Sequence, residues 1–351
     1  MTINDYANDA VDLLRRLIQT PSVSRDEAAA ADVMCAAMDQ YGLPWQREAN
    51  NVWTMSRDFS DERPTVLLNA HIDTVKPVAT WSRDPFVPTL EGDRLYGLGA
   101  NDCGGGLVSL LQVFRQLSLQ SSLPFNLIYL ASAEEEVSGK DGIERVLPLL
   151  PRPDVAIVGE PTGMQPAIAE KGLMVVDGYS HGVSGHAARQ EGVNAINLAL
   201  DDLLWLRDYR FPDVSPLLGP TQMQVTVVEG GTQHNVVPDL LHFVIDIRTN
   251  ERYRNEDVFQ FLQEHTRSEL RARSFRLHSS CIPNDHWLVQ RCLQMDMQPF
   301  GSPTLSDQAL MPFPSLKLGP GESSRSHSAD EFICLSEIAG AIQTYLSLLS
   351  A

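Results

Sequence analysis

The stretch that decides the fold is Thr-Val-Leu-Leu-Asn-Ala-His-Ile-Asp, at residues 65–73. Its apolar run, bounded by polar loops, predicts a β-strand that is buried on both faces. Comparable runs follow, with Asn-Leu-Ile-Tyr-Leu-Ala at 126–131 and Asp-Val-Ala-Ile-Val-Gly at 154–159. We therefore expect these segments to be neighbouring buried strands of one sheet.

Predicted helices alternate with these strands. Apolar residues recur with helical spacing at 104–117 and 142–150, between the strands, and again at 336–349. Further helices are predicted at 6–19 and 25–41, separated by a Pro-Ser-Val-Ser break. Strands that alternate with helices are typical of an α/β domain whose central sheet is mainly parallel.

The predicted elements change in kind after Lys171. Partly alternating strands and two helices follow in the order β-α-β-β-α-β, which is typical of a ferredoxin-like module. The predicted strands are 174–180, 222–228, 241–249 and 275–280, and the predicted helices are 194–209 and 255–267. We therefore predict an α/β domain formed by residues 1–172 and 281–351, with an α+β domain inserted at 173–280.

Composition narrows the class of protein. The formal net charge of −18 disfavours binding to nucleic acid or to an anionic membrane. The chain has no run of about 18 apolar residues that would predict a membrane span, and its polar N-terminus does not resemble a secretory signal. The five cysteines include no Cys-x-x-Cys pair, which suits reduced thiols. We expect a globular protein of the cytoplasm.

Acidic residues and histidines follow the predicted strands. The first strand ends in His71 and Asp73, the second is followed by 134–136, and Glu160 follows the third. Asp102 comes just before a predicted helix. Ligands of open α/β sheets gather beyond the carboxyl ends of the strands. Spacing alone leaves two interpretations open: a metal or active site at this edge, or separate solvated loop residues.

A series of motifs resembles the metallopeptidase family that contains acetylornithine deacetylase, succinyl-diaminopimelate desuccinylase, aminoacylase and dimeric carboxypeptidases. They run in the family's order over nearly the whole chain. The matching motifs are HIDTV (71–75), GLGAND (97–102), EEEVSG (134–139), VGEPT (158–162), GHAA (185–188), GVNAI (192–196), GGTQHNVVP (230–238), DIR (246–248) and GPG (319–321), followed by His327. The resemblance implies a zinc-peptidase-like catalytic domain and an inserted domain that serves as lid and dimerisation domain.

The resemblance also implies a pair of divalent metal ions. Asp102 would bridge the two ions, one of which would also be bound by His71 and Glu160, and the other by Glu136 and His327. Mixed imidazole and carboxylate ligands suit Zn²⁺, with Co²⁺ or Mn²⁺ as alternatives. We therefore expect a dinuclear hydrolase in which the metal ions activate water.

Two further acidic residues receive roles from the resemblance. Glu135 corresponds to the general base, and Asp73 to a carboxylate that orients a ligand imidazole. The family usually has Asp-Glu-Glu where this chain has Glu-Glu-Glu at 134–136. A slip of one residue would make Glu134 the base and Glu135 the ligand. Cys103, next to a predicted ligand, is interpreted as a packing residue.

Substrate-contacting positions follow from the same motifs. The residue that matches His186 comes from the partner subunit in the family and stabilises the oxyanion, which implies a homodimer formed through the inserted domain. Asn235 and Arg248 match positions that bind the substrate's carboxylate or carbonyl, and Gly321 is expected to shape the pocket. On residue type alone, His186 could be a surface loop histidine and Arg248 part of a surface ion pair.

The expected reaction is metal-dependent hydrolysis of the amide bond of an N-acyl amino acid. The expected substrates are N-acetylornithine, N-acetylcitrulline or their N-succinyl counterparts, in arginine biosynthesis. A succinyl group would require an additional cation, for which Lys140, Lys171 and Arg325 are candidates.

Other functions remain as alternatives. A succinyl-diaminopimelate desuccinylase, a dipeptidase or a carboxypeptidase would use the same scaffold. A non-catalytic binding homologue is disfavoured, because every expected ligand and the base are present. A serine hydrolase finds no support, since the chain has no Gly-x-Ser-x-Gly elbow. A cysteine hydrolase finds none either, because Cys103 has no histidine at a recognisable spacing.

Overall fold

The computed structural model describes residues 2–120, 123–189 and 191–350. The chain divides into two compact units. The first draws on the residues before 169, on Ile282–Phe300 and on the residues after 305. The second consists of Ala169–Cys281 and Gly301–Leu305.

Seven of the eight helices in the described part of the chain fall close to their predicted positions, and the helix at Trp287–Gln294 has no predicted counterpart. They are α1 (Ile3–Ile18), α2 (Ala28–Gln40), α3 (Gly105–Leu117), α4 (Ile143–Val146), α5 (Ala195–Asp208), α6 (Asn255–His265), α7 (Trp287–Gln294) and α8 (Leu335–Leu349). None of these described helices combines the length and the apolar character that a membrane crossing requires.

The strands range from two to nine residues in length. They are β1 (Gln46–Glu48), β2 (Asn51–Met55), β3 (Thr65–His71), β4 (Thr89–Glu91), β5 (Arg94–Tyr96), β6 (Asn126–Ser132), β7 (Val155–Val158), β8 (Ala167–Glu170), β9 (Met174–His181), β10 (Gly185–His186), β11 (Gln222–Gly230), β12 (Val236–Val237), β13 (Leu240–Arg248), β14 (Glu269–Ala272), β15 (Ser280–Cys281), β16 (Phe300–Ser302), β17 (Ser315–Lys317) and β18 (Phe332–Cys334).

The first unit has a mixed sheet with a parallel centre. Strands β6, β3, β7 and β17 lie side by side and pair in parallel, whereas β1 and β2 add antiparallel pairs beyond β6. Every residue of β3 and β6 is buried, as strands covered on both faces require. Helix α3 packs on β3 and against α1 and α8. The predicted α/β fold with a mainly parallel central sheet is confirmed.

The second unit contains an antiparallel sheet in the order β11-β13-β9-β14. Chain order gives β9, α5, β11, β13, α6 and β14, the β-α-β-β-α-β arrangement of a ferredoxin-like module. One face of this sheet packs against the helices through a core that includes Met174, Phe243, Ile245, Ala199 and Leu262.

The predicted last strand of this module, at 275–280, is wrong. The fourth strand is β14, at Glu269–Ala272, where Leu270 alternates with more exposed neighbours. The following segment is irregular because the side chain of Asn255 donates hydrogen bonds to the carbonyls of Phe275 and Leu277, at 3.0 and 2.9 Å. The carbonyl of Leu277 also accepts the backbone amide of Leu173 at 3.0 Å, so the segment makes isolated contacts and not a continuous strand ladder.

A core substitution tests the packing of the second unit. Phe243 is 0% exposed and lies opposite Gly178, where a Cβ atom would collide with the aromatic ring. Phe243→Ala removes this ring, so we expect the free energy of unfolding of the second unit to fall by about 3–5 kcal/mol. Denaturant titration followed by circular dichroism measures the change. Val214→Ala, at a residue that is 54% exposed, is the control and should change it by less than about 0.5 kcal/mol. Equal effects of the two variants would contradict the assigned core.

Candidate metal centre

Three parallel strands deliver polar side chains to one edge of the first unit's sheet. Strand β3 ends at His71, β6 leads into the 3₁₀ turn Glu135–Val137, and Glu160 follows β7. Because these strands pair in parallel, their carboxyl ends lie at the same edge of the sheet. The local fold thereby concentrates carboxylates around one buried imidazole.

His71 lies at the centre of this cluster and is 3% exposed. Its Nε2 atom is 3.2 Å from Asp102 Oδ1, 3.5 Å from Glu160 Oε1 and 3.9 Å from Glu135 Oε2. Nδ1 lies 2.9 Å from the carbonyl oxygen of Asp73. If Nδ1 carries the proton and donates to this carbonyl, Nε2 is free to act as a metal ligand.

Asp102 lies between two histidines. While Oδ1 faces His71, Oδ2 is 3.6 Å from Nε2 of His327. The same Nε2 atom is 2.9 Å from Glu136 Oε2. A carboxylate with one oxygen toward each imidazole suits the bridging position between two cations.

Asp73 acts mainly on the backbone of the neighbouring turn. Its carboxylate accepts the amides of Glu135 and Glu136, both at 3.1 Å, and the hydroxyl of Ser24 at 2.7 Å. Its Oδ1 atom is 3.6 Å from Nδ1 of His71, farther than the main-chain carbonyl of the same residue. The geometry therefore differs from the expected carboxylate–imidazole hydrogen bond.

The side chains of the three consecutive glutamates at 134–136 contact different parts of the protein. Glu135 lies near His71, and Glu136 contacts His327. Glu134 adopts a left-handed backbone conformation with φ of 55°, and its side chain packs beside Gly139. The last two residues of the run therefore join the cluster, and the first lies against the following loop.

The loop that carries Asp102 is held by Glu331, a residue to which the sequence analysis assigned no role. Its Oε1 atom accepts the amides of Asn101 and Asp102 at 2.8 and 2.9 Å, and Oε2 accepts the amide of Gly99 at 3.1 Å. The sequence gives only a weak signal for this role of Glu331, because its contact with the loop depends on the pairing of β18 with β5. Gly321, predicted to shape the substrate pocket, lies against this loop, where a Cβ would collide with Asn101.

Burial raises the pKa of several carboxyl groups of the cluster. The pKa of Glu160 rises to about 8, and that of Glu331 also rises to about 8. Burial holds the pKa of Glu135 well above its usual range. At Glu160, a proposed ligand, a bound cation would therefore compete with the proton.

Both histidines favour the protonated form in the metal-free cluster. Burial by itself lowers the pKa of His71, but its interactions with neighbouring groups, the hydrogen-bonded carboxylate of Asp102 among them, raise it well above its usual value. The hydrogen bond to Glu136 raises the pKa of His327 to about 9. Since a metal ligand must be neutral imidazole, metal binding should release protons.

The donor set fits divalent metal ions. Ligand atoms of His71, Asp102 and Glu136 lie within 4.8 Å of one another, as do those of His71, Cys103 and Glu160. The buried Oε1 atom of Glu160 has no hydrogen-bond partner among the described residues. An unpaired carboxylate oxygen beside an imidazole is suited to a cation, and mixed nitrogen and oxygen donors suit Zn²⁺.

Cys103 is adjacent to the cluster but remains better suited to packing. Its Sγ atom accepts the backbone amide of His71 at 3.2 Å. Burial raises the pKa of the thiol above its usual range. A thiol in this state is protonated, whereas the metal-binding form of cysteine is the thiolate.

The remaining predicted residues belong to the second unit. His186 is exposed, and its Nδ1 atom accepts the amide of Ala188 at 3.2 Å. Asn235 lies near His186, because its backbone carbonyl accepts the amide of Ala187 at 3.1 Å. Arg248, at the end of β13, donates from Nε and Nη2 of its guanidinium to the carboxylate of Asp246, at 2.8 and 3.0 Å. The arginine thus has a carboxylate partner of its own.

Curated relatives match almost the whole chain. An acetylornithine deacetylase of Klebsiella pneumoniae is 31% identical over 359 residues, covering 92% of this chain and 92% of the relative. A succinyl-diaminopimelate desuccinylase of Delftia acidovorans is 29% identical over 284 residues, covering 74% of this chain and 72% of the relative.

A solved structure of similar fold and a family model lead to the same family as these relatives. The YXEP protein of Bacillus subtilis, a dinuclear metal-binding peptidase from the M20 family, superimposes with a TM-score of 0.73 at 15% identity, covering 99% of this chain and 98% of that chain. A model described as peptidase family M20/M25/M40 matches residues 67–351. The family resemblance carried by the motifs is therefore confirmed, and the chain belongs to peptidase family M20/M25/M40.

Proposed function

We propose that this protein hydrolyses the amide bond of an N-acyl amino acid, with N-acetylornithine or N-acetylcitrulline as substrate, in arginine biosynthesis. Membership of the family makes the chain a hydrolase that acts on amide bonds. The observation that carries the proposal is the carboxylate of Asp102 between His71 and His327, with Glu135 beside them. The acetylornithine deacetylase relative supports the substrate class.

The proposed metal centre holds two divalent ions, with Zn²⁺ as the preferred metal and Co²⁺ or Mn²⁺ as alternatives. The ligands would be His71, Asp102, Glu136, Glu160 and His327. When bound, such ions lower the pKa of a water molecule and polarise the scissile carbonyl. The protein's own groups must then move the proton from the water to the leaving amine.

Glu135 is suited to that proton transfer. Its carboxylate lies 3.9 Å from the His71 imidazole, beside the proposed ligands but outside their closest contacts. Asp73 fixes the turn by accepting the Glu135 amide, so the carboxylate is presented on a rigid backbone. Burial raises the pKa of Glu135, which strengthens it as a base. In the proposed mechanism Glu135 takes the proton of the attacking water and delivers it to the departing amine.

The cationic candidates for a succinyl group are largely engaged elsewhere. Arg325 donates from both arms of its guanidinium to Glu337, at 2.8 and 3.0 Å. Lys171 donates to the carbonyl of Pro220 at 3.2 Å and to the amide oxygen of Gln222 at 3.1 Å. With two of the three candidates engaged in this way and Lys140 exposed, an acetyl group is the acyl group that we propose.

The length of β13 supports a shared active site in a homodimer. His186 pairs with Val236, just before β13 begins at Leu240, whereas Arg248 lies at the opposite end of the strand. At about 3.3 Å per residue these ends are roughly 26 Å apart. A small acyl amino acid is much shorter than that. If His186 and Arg248 both contact one substrate, they must come from different chains.

The second unit has a surface suited to such a dimer. Strand β11 lies at the edge of its sheet and exposes Val227 and Val228. Helix α5, which packs beside β11, exposes Leu200 and Leu204. An open edge strand with apolar neighbours favours pairing with a second copy. We propose that the inserted domain, residues 173–280, is both the lid and the dimerisation domain.

Free thiols are consistent with a cytoplasmic enzyme. The five cysteines, all in the described part of the chain, form no disulfide. Cytoplasmic proteins keep their thiols reduced. We therefore assign the proposed reaction to the cytoplasm.

A substrate panel tests the proposed reaction. We expect purified protein to release free amino acid from N-acetylornithine or N-acetylcitrulline, to lose this turnover with a chelator, and to regain it with added Zn²⁺. Chromatography of the released amino acid is the measurement. The panel includes N-succinyl amino acids, N-succinyl-diaminopimelate and several dipeptides. Turnover confined to dipeptides would replace the proposal by a peptidase, and a protein that takes up no metal would favour the non-catalytic alternative.

Glu135→Gln tests the proton-transfer role. The substitution keeps the shape of the side chain but removes the base, so we expect kcat to fall about 100- to 10,000-fold with the metal content unchanged. Steady-state kinetics and metal analysis measure the two quantities. Glu134→Gln, whose side chain packs beside Gly139, is the matched control and should keep turnover close to wild type. The reverse result would move the base to Glu134.

Mixing two inactive variants tests the shared site. His186→Ala lacks the oxyanion contact, and His327→Ala lacks a metal ligand. After subunit exchange at equal concentrations, half of the dimers are mixed, and each has one complete site. We therefore expect about one quarter of the wild-type activity to return. A mixture as inactive as its components would mean that His186 acts within its own chain.

A further inference from the structure

A buried carboxylate lies beside the strand ends of the first unit, outside the proposed ligand set. Asp307 is 4% exposed and begins the 3₁₀ turn Asp307–Leu310. The hydroxyl of Ser306 caps this turn by accepting the amide of Gln308. The backbone is thus fixed, so that the side chain of Asp307 has a defined direction.

The carboxylate of Asp307 is hydrogen-bonded to neutral side chains. Ser132 donates from its hydroxyl to Oδ2 at 2.6 Å. The amide nitrogen of Asn69 donates to the same oxygen at 3.2 Å when its nitrogen faces the carboxylate. Asn69 and Ser132 are both fully buried. Within the described residues no lysine or arginine forms an ion pair with Asp307, and burial raises its pKa to about 6.

The strand register connects these donors directly to the metal centre. Ser132 on β6 lies opposite His71 on β3, so the two side chains share a face of the sheet. Asn69 precedes His71 by two residues and also lies on that face. Asn69 lies opposite Val158, two residues before Glu160. Asp307 therefore binds the residues directly beneath the proposed ligands.

We propose that Asp307 is a positioning residue of the metal centre, which strengthens metal binding through its buried negative charge and fixes the ends of β3 and β6. This inference rests on the proposed function, because it requires that metal ions bind at His71 and its neighbours.

The physical reason lies in the cost of a buried charge. A carboxylate held only by neutral donors in a buried site is unfavourable unless a cation is nearby. Divalent ions bound by the proposed ligands would provide the positive charge that offsets this cost. In the metal-free protein the protonated imidazole of His71 offsets only part of this cost, because the pKa of Asp307 remains raised. The carboxylate therefore favours the metal-loaded protein over the metal-free protein. Outer groups of this kind typically change metal affinity 10- to 100-fold.

Asp307→Asn tests whether the negative charge of Asp307 favours the metal-loaded protein over the metal-free protein. The amide keeps the size of the side chain and an oxygen that can accept from Ser132, but removes the charge. We expect Zn²⁺ affinity to fall about 10- to 100-fold, measured by competition with a chromophoric chelator. The melting temperature of the metal-free variant should equal or exceed that of metal-free wild type, while the increase on adding Zn²⁺ should be smaller. Asp307→Ser, a second variant, should shift Zn²⁺ affinity in the same direction.

Asp202→Asn is the matched control, because Asp202 is also 4% exposed but belongs to the second unit. Its carboxylate accepts the backbone amides of Arg267 and Ser268. This control should leave Zn²⁺ affinity unchanged. Asp307 variants that bind Zn²⁺ as tightly as wild type, or that only lower the melting temperature of the metal-free protein, would overturn the inference. Wild-type protein that binds no Zn²⁺ would instead overturn the proposed function.

Discussion

The parallel pairing of β3 with β6 and β7 is the constraint on which the rest of the structure depends. It brings His71, the turn at Glu135 and Glu160 to one edge, where burial removes most of the water that would otherwise solvate them. Desolvation, and to a smaller extent mutual repulsion, raise the pKa values of Glu135 and Glu160. Such a cluster is costly in isolation, and a bound cation would offset the cost.

Carboxylates outside the ligand set hold the turns in place. Asp73 accepts the amides that open the turn with Glu135, and Glu331 accepts the amides that surround Asp102. A carboxylate that accepts two or three backbone amides fixes a loop without needing a helix or a strand there. Several of the proposed ligands are therefore carried by short turns whose backbone amides are bound by these carboxylates.

The buried strands could be predicted because apolar runs such as Thr65–His71 bounded by polar loops have few other interpretations. The strand expected at 275–280 failed because apolar alternation does not reveal that Asn255 binds the carbonyls of this segment. Motif spacing identified the residues that gather around His71. It could not identify Glu331, whose role depends on the antiparallel pairing of β18 with β5, nor the use of Asp73 as an amide acceptor. Contacts between distant segments are absent from any local pattern.

Charge balance connects the metal centre with the deeper part of the first unit. The carboxylates of Asp102, Glu136, Glu160 and Glu135 would together match the charge of two divalent ions. Asp307 would add one negative charge beyond this balance. That charge is one of the influences that raise the pKa of Glu135. A centre with surplus negative charge binds cations tightly and keeps its base ready to accept a proton. In the proposed mechanism, tight metal binding and a strong base would thus have the same electrostatic origin.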